Sequence, residues 1–98
     1  MTNNEFLTAL NKAFAEHPML AKSNPKSINE LLYVLRMEFD NDFCISIPEK
    51  NGAWSCIPSS RETFISTKML ARKIDCIEYE EEKDEELGTI YCLTIYTT

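Results

Sequence analysis

Ninety-eight residues are enough for one hydrophobic core and little beyond it. A hydrophobic content of 44% beside 27% charged residues excludes wholesale disorder, and a formal charge of −6 sets the molecule as a whole against nucleic acid and anionic lipid. The opening Met-Thr-Asn-Asn-Glu has no basic, apolar leader, and no apolar run approaches the roughly 20 residues of a membrane-spanning helix, so a cytoplasmic protein is expected.

Thr2 and Glu5 have the spacing of a capping box, in which a hydroxyl and a carboxylate each satisfy an orphan amide at a helix start. Behind them Phe6, Leu7, Leu10 and Phe14 recur at helical spacing, predicting a helix over residues 3–16 that stops before His17-Pro18. His17, the single histidine, is expected in a solvated loop, with residues 19–24 as a linker. Ser27 and Glu30 repeat the capping-box spacing, and Pro25 suits a first helical turn. Ile28, Leu31, Leu32, Leu35 and Phe39 then form the clearest helical stripe in the chain, one that pairs with the first helix as a hairpin.

Glu38, Asp40 and Asp42 crowd the end of that second helix, where the macrodipole favours cations. They read first as a turn of good turn residues, and secondly as an extension of an acidic patch. Phe43, Ile45 and Ile47 alternate with Cys44 and Ser46 as a strand with one buried face. Asn51-Gly52 predicts a tight hairpin, with residues 53–57 and Trp54 on the return strand. Pro48 and Pro58 place part of this hairpin at a sheet edge. A third capping box, Ser59 and Glu62, opens a predicted helix over residues 60–73, on which Arg61, Lys68 and Arg72 form a basic stripe.

Residues 75–86 hold eight acids (Asp75, Glu78, Glu80, Glu81, Glu82, Asp84, Glu85 and Glu86) and one base, Lys83. This stretch has a formal charge of −7, so the rest of the chain sums to +1. It is predicted as an acid-rich loop joining strands over 74–79 and 89–97, with Gly88 free to take positive φ. In the last strand Ile90, Cys92 and Tyr96 share one face and Tyr91, Leu93 and Ile95 the other, so the strand should be central and covered on both sides.

Sites with built-in chemistry are missing from the sequence. Two glycines, Gly52 and Gly88, leave no phosphate-cradling loop, and a nucleophile–base arrangement would have to use His17, which has no patterned partner. Cys44, Cys56, Cys76 and Cys92 lie too far apart for a Cys-x-x-Cys pair and read as small buried hydrophobes on strands. Neither catalysis, a cofactor nor a metal is expected.

The expectation is one α+β domain over residues 1–98, in the order α-α-β-β-α-β-β, with helices on one face of a four-stranded, mainly antiparallel sheet of strand order 1-2-4-3. The expected role is non-enzymatic protein binding, as in small inhibitors, immunity proteins and phage counter-defence proteins that block a partner with a basic, nucleic-acid-handling surface. Glu78, Glu80, Glu81, Glu82, Asp84, Glu85 and Glu86 would supply the electrostatics, Glu38, Asp40 and Asp42 would extend them, and Trp54 and Tyr91 would be aromatic anchors. Direct contact with nucleic acid or membrane is not expected. One alternative is a homo-oligomeric adaptor assembling through its sheet face, as a homodimer for instance, and another is that Glu80 to Glu86 form a solvated loop that only keeps the protein soluble.

Overall fold

A computed structural model describes residues 1–52, 54–58 (backbone only) and 67–98. The elements are α1 (Asn3–Ala15), α2 (Pro18–Ala21), α3 (Ile28–Glu38), β1 (Phe43–Pro48), β2 (Trp54–Pro58), α4 (Thr67–Leu70), β3 (Ile74–Asp84) and β4 (Gly88–Thr97). They form a small α+β domain built on a mixed sheet.

Both expected capping boxes at α1 and α3 form. The Thr2 hydroxyl accepts the Glu5 amide at 3.2 Å, and the Glu5 carboxylate accepts the Thr2 amide at 3.0 Å. Ser27 and Glu30 repeat the arrangement at 3.3 and 3.0 Å. The faces that these helices bury match the apolar spacing: Phe6, Leu10 and Phe14 on α1, and Ile28, Leu31, Leu32 and Leu35 on α3. Pro25 lies outside the helix, because Ser27 is the cap and Ile28 the first helical residue. Residues 18–21, expected as linker, form the single turn α2 with Pro18 at its start, where a missing amide costs nothing.

Phe6 joins the layers. Its ring stacks on Tyr79 of β3 at 4.4 Å and meets Phe39 at 5.5 Å and Phe43 of β1 at 5.7 Å. These contacts place the helices on the sheet face that carries Phe43, Ile45, Ile47, Tyr79, Leu93 and Ile95, all of them buried.

The sheet order is β2-β1-β4-β3. β1 pairs antiparallel with β2 and β4 antiparallel with β3, but β1 and β4 run parallel, with Ile45 opposite Leu93. The expectation of a mainly antiparallel sheet is therefore corrected to a mixed one, and β1 rather than β2 borders β4. The physical reason is that each hairpin is fixed locally, whereas the joint between the two hairpins is decided by burial. Phe43, Ile45 and Ile47 of β1 bring a buried apolar face beside Leu93 and Ile95 of β4, and the long chain between β1 and β4, which includes β2, α4 and β3, makes the connection that a parallel pair requires. β4 is internal, flanked by β1 and β3.

Further corrections concern turns and ends. The β1–β2 connection is not a two-residue turn: strand pairing stops at Pro48 and Trp54, Gly52 alone has positive φ (+87°), and its amide donates to the Glu49 carbonyl. The predicted helix over 60–73 ends sooner, at Leu70, and Lys73 instead bridges to Ser27. The Ser59–Glu62 box and the part of the predicted helix before Thr67 lie outside the described residues, as does the Trp54 side chain.

Candidate protein-binding surface

The acid-rich stretch is not a loop. β3 continues through it to Asp84, pairing without interruption from Cys76 opposite Tyr96 to Asp84 opposite Gly88, and only residues 85–87 turn. Glutamate is a poor strand former, so the pairing is imposed by β4, whose buried Leu93 and Ile95 stand opposite Tyr79 and Ile77 and set the register. A strand sends alternate side chains to opposite faces. Tyr79 points to α1, so Glu81 and Lys83 share its side, while Glu78, Glu80 and Glu82 form a row on the face turned away from α1 and α3. Successive members of that row are about 7 Å apart along the strand. The carboxylates are therefore drawn out along an edge rather than bunched, as a loop would have left them.

The residues of this row and of the turn are exposed: Glu78, Glu80, Glu82, Asp84, Glu85 and Glu86. Three acids of the stretch have defined partners. Glu81 accepts the Tyr79 hydroxyl at 2.6 Å and stands 3.4 Å from the Met1 ammonium, and these contacts hold its carboxyl below the ordinary value. Burial, reinforced by the Glu81 carboxylate, pushes the Tyr79 phenol well up. Asp84 closes the turn by accepting the Leu87 amide at 2.9 Å and the Glu86 amide at 2.8 Å, which lowers its carboxyl. Glu78 lies 3.4 Å from the Tyr96 hydroxyl across the ladder. Among the described residues no lysine or arginine forms an ion pair with the stretch. Arg72 of the expected basic stripe donates instead through Nη1 to both carboxylate oxygens of Glu49, each at 3.0 Å, Lys68 is exposed, and Arg61 lies outside the described residues.

The remaining candidates separate. Asp42 does come near the turn, sharing a surface hollow with Leu87, Thr89 and Tyr91. Asp40 is exposed. Glu38 is engaged elsewhere: His17 Nε2 meets its carboxylate at 2.9 Å, and the imidazole packs edge-on against Tyr33 at 5.7 Å. His17 is thus a half-buried link between α2 and α3 rather than a solvated loop residue. Tyr91 lies on the helix side, its ring edge-on to Phe43 at 6.3 Å, which makes it a border of the core before it is an anchor.

The expected burial of the cysteines is also corrected. Cys76 is exposed and Cys44 and Cys92 are half-buried, because their alternation with Ile45, Ile77 and Leu93 turns them to the face away from α1 and α3, and the Cys56 side chain lies outside the described residues. All three are thiols rather than half-cystines. Among the described residues no three histidine, cysteine or acidic side chains converge as a metal site, and no helix is long and apolar enough to cross a membrane.

Sequence reasoning missed the Met1–Glu81 contact and the bond from the Tyr79 amide to Asn3 Oδ1 at 2.7 Å. Both join positions more than seventy residues apart, and no local pattern announces them. The chain matches no protein-family model, and comparison with the curated proteins and with the solved structures finds no match either.

Proposed function

We propose that this chain is a small non-enzymatic binding module that blocks a partner through a basic, nucleic-acid-handling surface, in the manner of immunity-type inhibitors and phage counter-defence proteins. The observation that supports this reading is the exposed row of Glu78, Glu80 and Glu82, continued by Glu85 and Glu86, with no lysine or arginine of the described residues paired to it. A separation of about 7 Å between neighbouring carboxylates is close to that of successive phosphates along a nucleic-acid strand. A groove lined with lysine and arginine would therefore meet charges at a spacing it already accommodates, and clustered charge would speed the encounter. A cytoplasmic setting suits the thiols at Cys44, Cys76 and Cys92.

Crosslinked affinity capture from the source cell tests the reading, with the protein beside a variant carrying Glu80, Glu81, Glu82, Glu85 and Glu86 as glutamine. The expected partner is basic, is released between low and high salt, is displaced by added DNA or RNA, and is lost with the variant. Equal capture by the variant would overturn the reading.

One observation favours a second reading, self-assembly through the sheet. Ile90, Cys92 and Tyr96, on the face turned away from α1 and α3, are only half-buried, which leaves apolar surface for another copy to cover. A strictly monomeric mass at micromolar concentration removes it.

A further inference from the structure

β3 forms one edge of the sheet, with β4 on its inner side. Edge strands expose a row of backbone donors and acceptors, and folded proteins usually cover or interrupt that row. Among the described residues the cover stops partway. At the start of the strand the Ile74 amide donates to the Lys26 carbonyl at 2.8 Å. At the middle the Tyr79 amide donates to Asn3 Oδ1 at 2.7 Å, so the start of α1 caps the edge there.

That second bond also fixes the phase of the edge. In an antiparallel ladder, residues whose amides point away from the partner strand alternate with residues whose amides point toward it. The Tyr79 amide points outward and the register is unbroken from Cys76 to Asp84, so the amides and carbonyls of Glu81 and Lys83 point outward too. Both residues are exposed, and they lie beyond the Asn3 cap.

We propose that the outer edge of β3 over residues 81–84 takes an extended, lysine- or arginine-bearing segment of a partner protein as an added strand. This proposal rests on the basic-partner reading above and specifies how that partner is held. Charge selects the occupant. An incoming strand places its side chains about 5 Å from those of Glu80 and Glu82 on one face and of Glu81 on the other. Cations at alternate positions of that strand would each meet a carboxylate. A second copy of this chain is disfavoured at the same edge, because pairing β3 with itself sets Glu80, Glu81 and Glu82 against their own kind. The chain already supplies one cation at this place: the Met1 ammonium lies 3.4 Å from both oxygens of Glu81. Main-chain hydrogen bonds would give the complex its affinity, and the flanking acids its preference for basic sequence.

The test uses the full chain and a capped peptide of alternating lysine and valine, together with the same peptide N-methylated at alternate amides so that charge is kept and backbone donors are lost. The expected results are slowed hydrogen exchange at the Glu81 and Lys83 amides on binding, and affinity about tenfold weaker for the N-methylated peptide. Lys83→Pro should weaken the parent peptide about as much, because it removes an outward amide without touching the β3–β4 ladder. Lys83→Ala is the comparison, since loss of a positive charge alone would tighten a cationic peptide. Equal affinity for the two peptides, with no protection at either amide, would overturn edge pairing and leave the basic-partner reading standing. Absence of binding by both peptides even at low salt would overturn the two together.

Discussion

Ser27 and Glu30 show how much one cap holds in place. Ser27 is buried to 8% exposure, and its amide and hydroxyl both donate to one oxygen of Glu30 at 3.0 Å. The next amide in the chain, that of Ile28, donates to the Arg72 carbonyl, so the cap also ties the start of α3 to the chain entering β3. Partial burial pushes the Glu30 carboxyl up. Hydrogen bonds from the Ser23 side chain and from the Ser27 amide and hydroxyl, with the charge of Lys73, outweigh it, and the net shift is downward. Glu5, Glu81 and Asp84 are lowered as well. A carboxyl whose folded value lies below its unfolded value stabilises the fold at all pH above the unfolded value, and that stabilisation is lost as pH falls through the folded value. Denaturant midpoints should therefore hold level from pH 7 to about 5, then fall below the ordinary glutamate value of 4.5. Ser27→Ala should lower stability at pH 7 by about 1–2 kcal/mol and make the acid decline shallower, since one source of the downward shift is gone. An unchanged decline in that variant would mean that the Ser27 hydroxyl contributes nothing to the lowering of Glu30.

Gly88 closes the hairpin that displays the acids, and it does so through backbone shape alone. Its φ is +79°, and a Cβ added there would have nothing within 4 Å. Gly88→Ala should thus cost about 1–2 kcal/mol from the left-handed conformation itself, and Gly88→Asn less, because asparagine tolerates that region. Equal stability of all three proteins in urea would show that the turn relaxes to another conformation. Elements of this kind were legible in the sequence, because each states its requirement locally: the two capping boxes, the helical stripes of α1 and α3, the alternation in β1, and Gly88. The length of β3 was not legible. Glutamates at consecutive positions carry no alternation to read, and their strand conformation comes from β4 through pairs such as Glu80 with Cys92. Nor was the parallel β1–β4 ladder, whose partners Cys44 and Cys92 are far apart in the chain and become neighbours only when the apolar faces close on the helices. The acids of the candidate surface were visible as a composition. Their division into an outward row, a turn cap at Asp84 and a capped Glu81 required the register.

At the scale of the whole molecule, the uneven charge implies two responses to salt of opposite sign. Residues 75–86 carry a formal −7 and the remaining residues sum to +1, so the rest of the chain has little net positive charge with which to compensate the row. Arg72 is already committed to Glu49, and the Met1 ammonium serves Glu81 alone among the described residues. The folded hairpin therefore holds like charges about 7 Å apart, inside the Debye length of roughly 10 Å at 0.1 M salt and well inside that of roughly 30 Å at 0.01 M. Sodium chloride raised from 10 to 150 mM should stabilise the isolated protein, because screening relieves repulsion that the extended strand cannot escape. A fold held mainly by surface ion pairs would lose stability over the same range. Changing Glu80 and Glu82 to glutamine should raise the melting temperature at 10 mM salt and flatten its rise with salt, as read by circular dichroism. Association with a cationic partner runs the other way, weakening as salt screens the attraction. A protein that is steadier in high salt yet binds less tightly there would be storing in its fold the repulsion that a basic partner relieves. Melting temperatures that fall with salt in both proteins would show that β3 has found its compensation within the molecule.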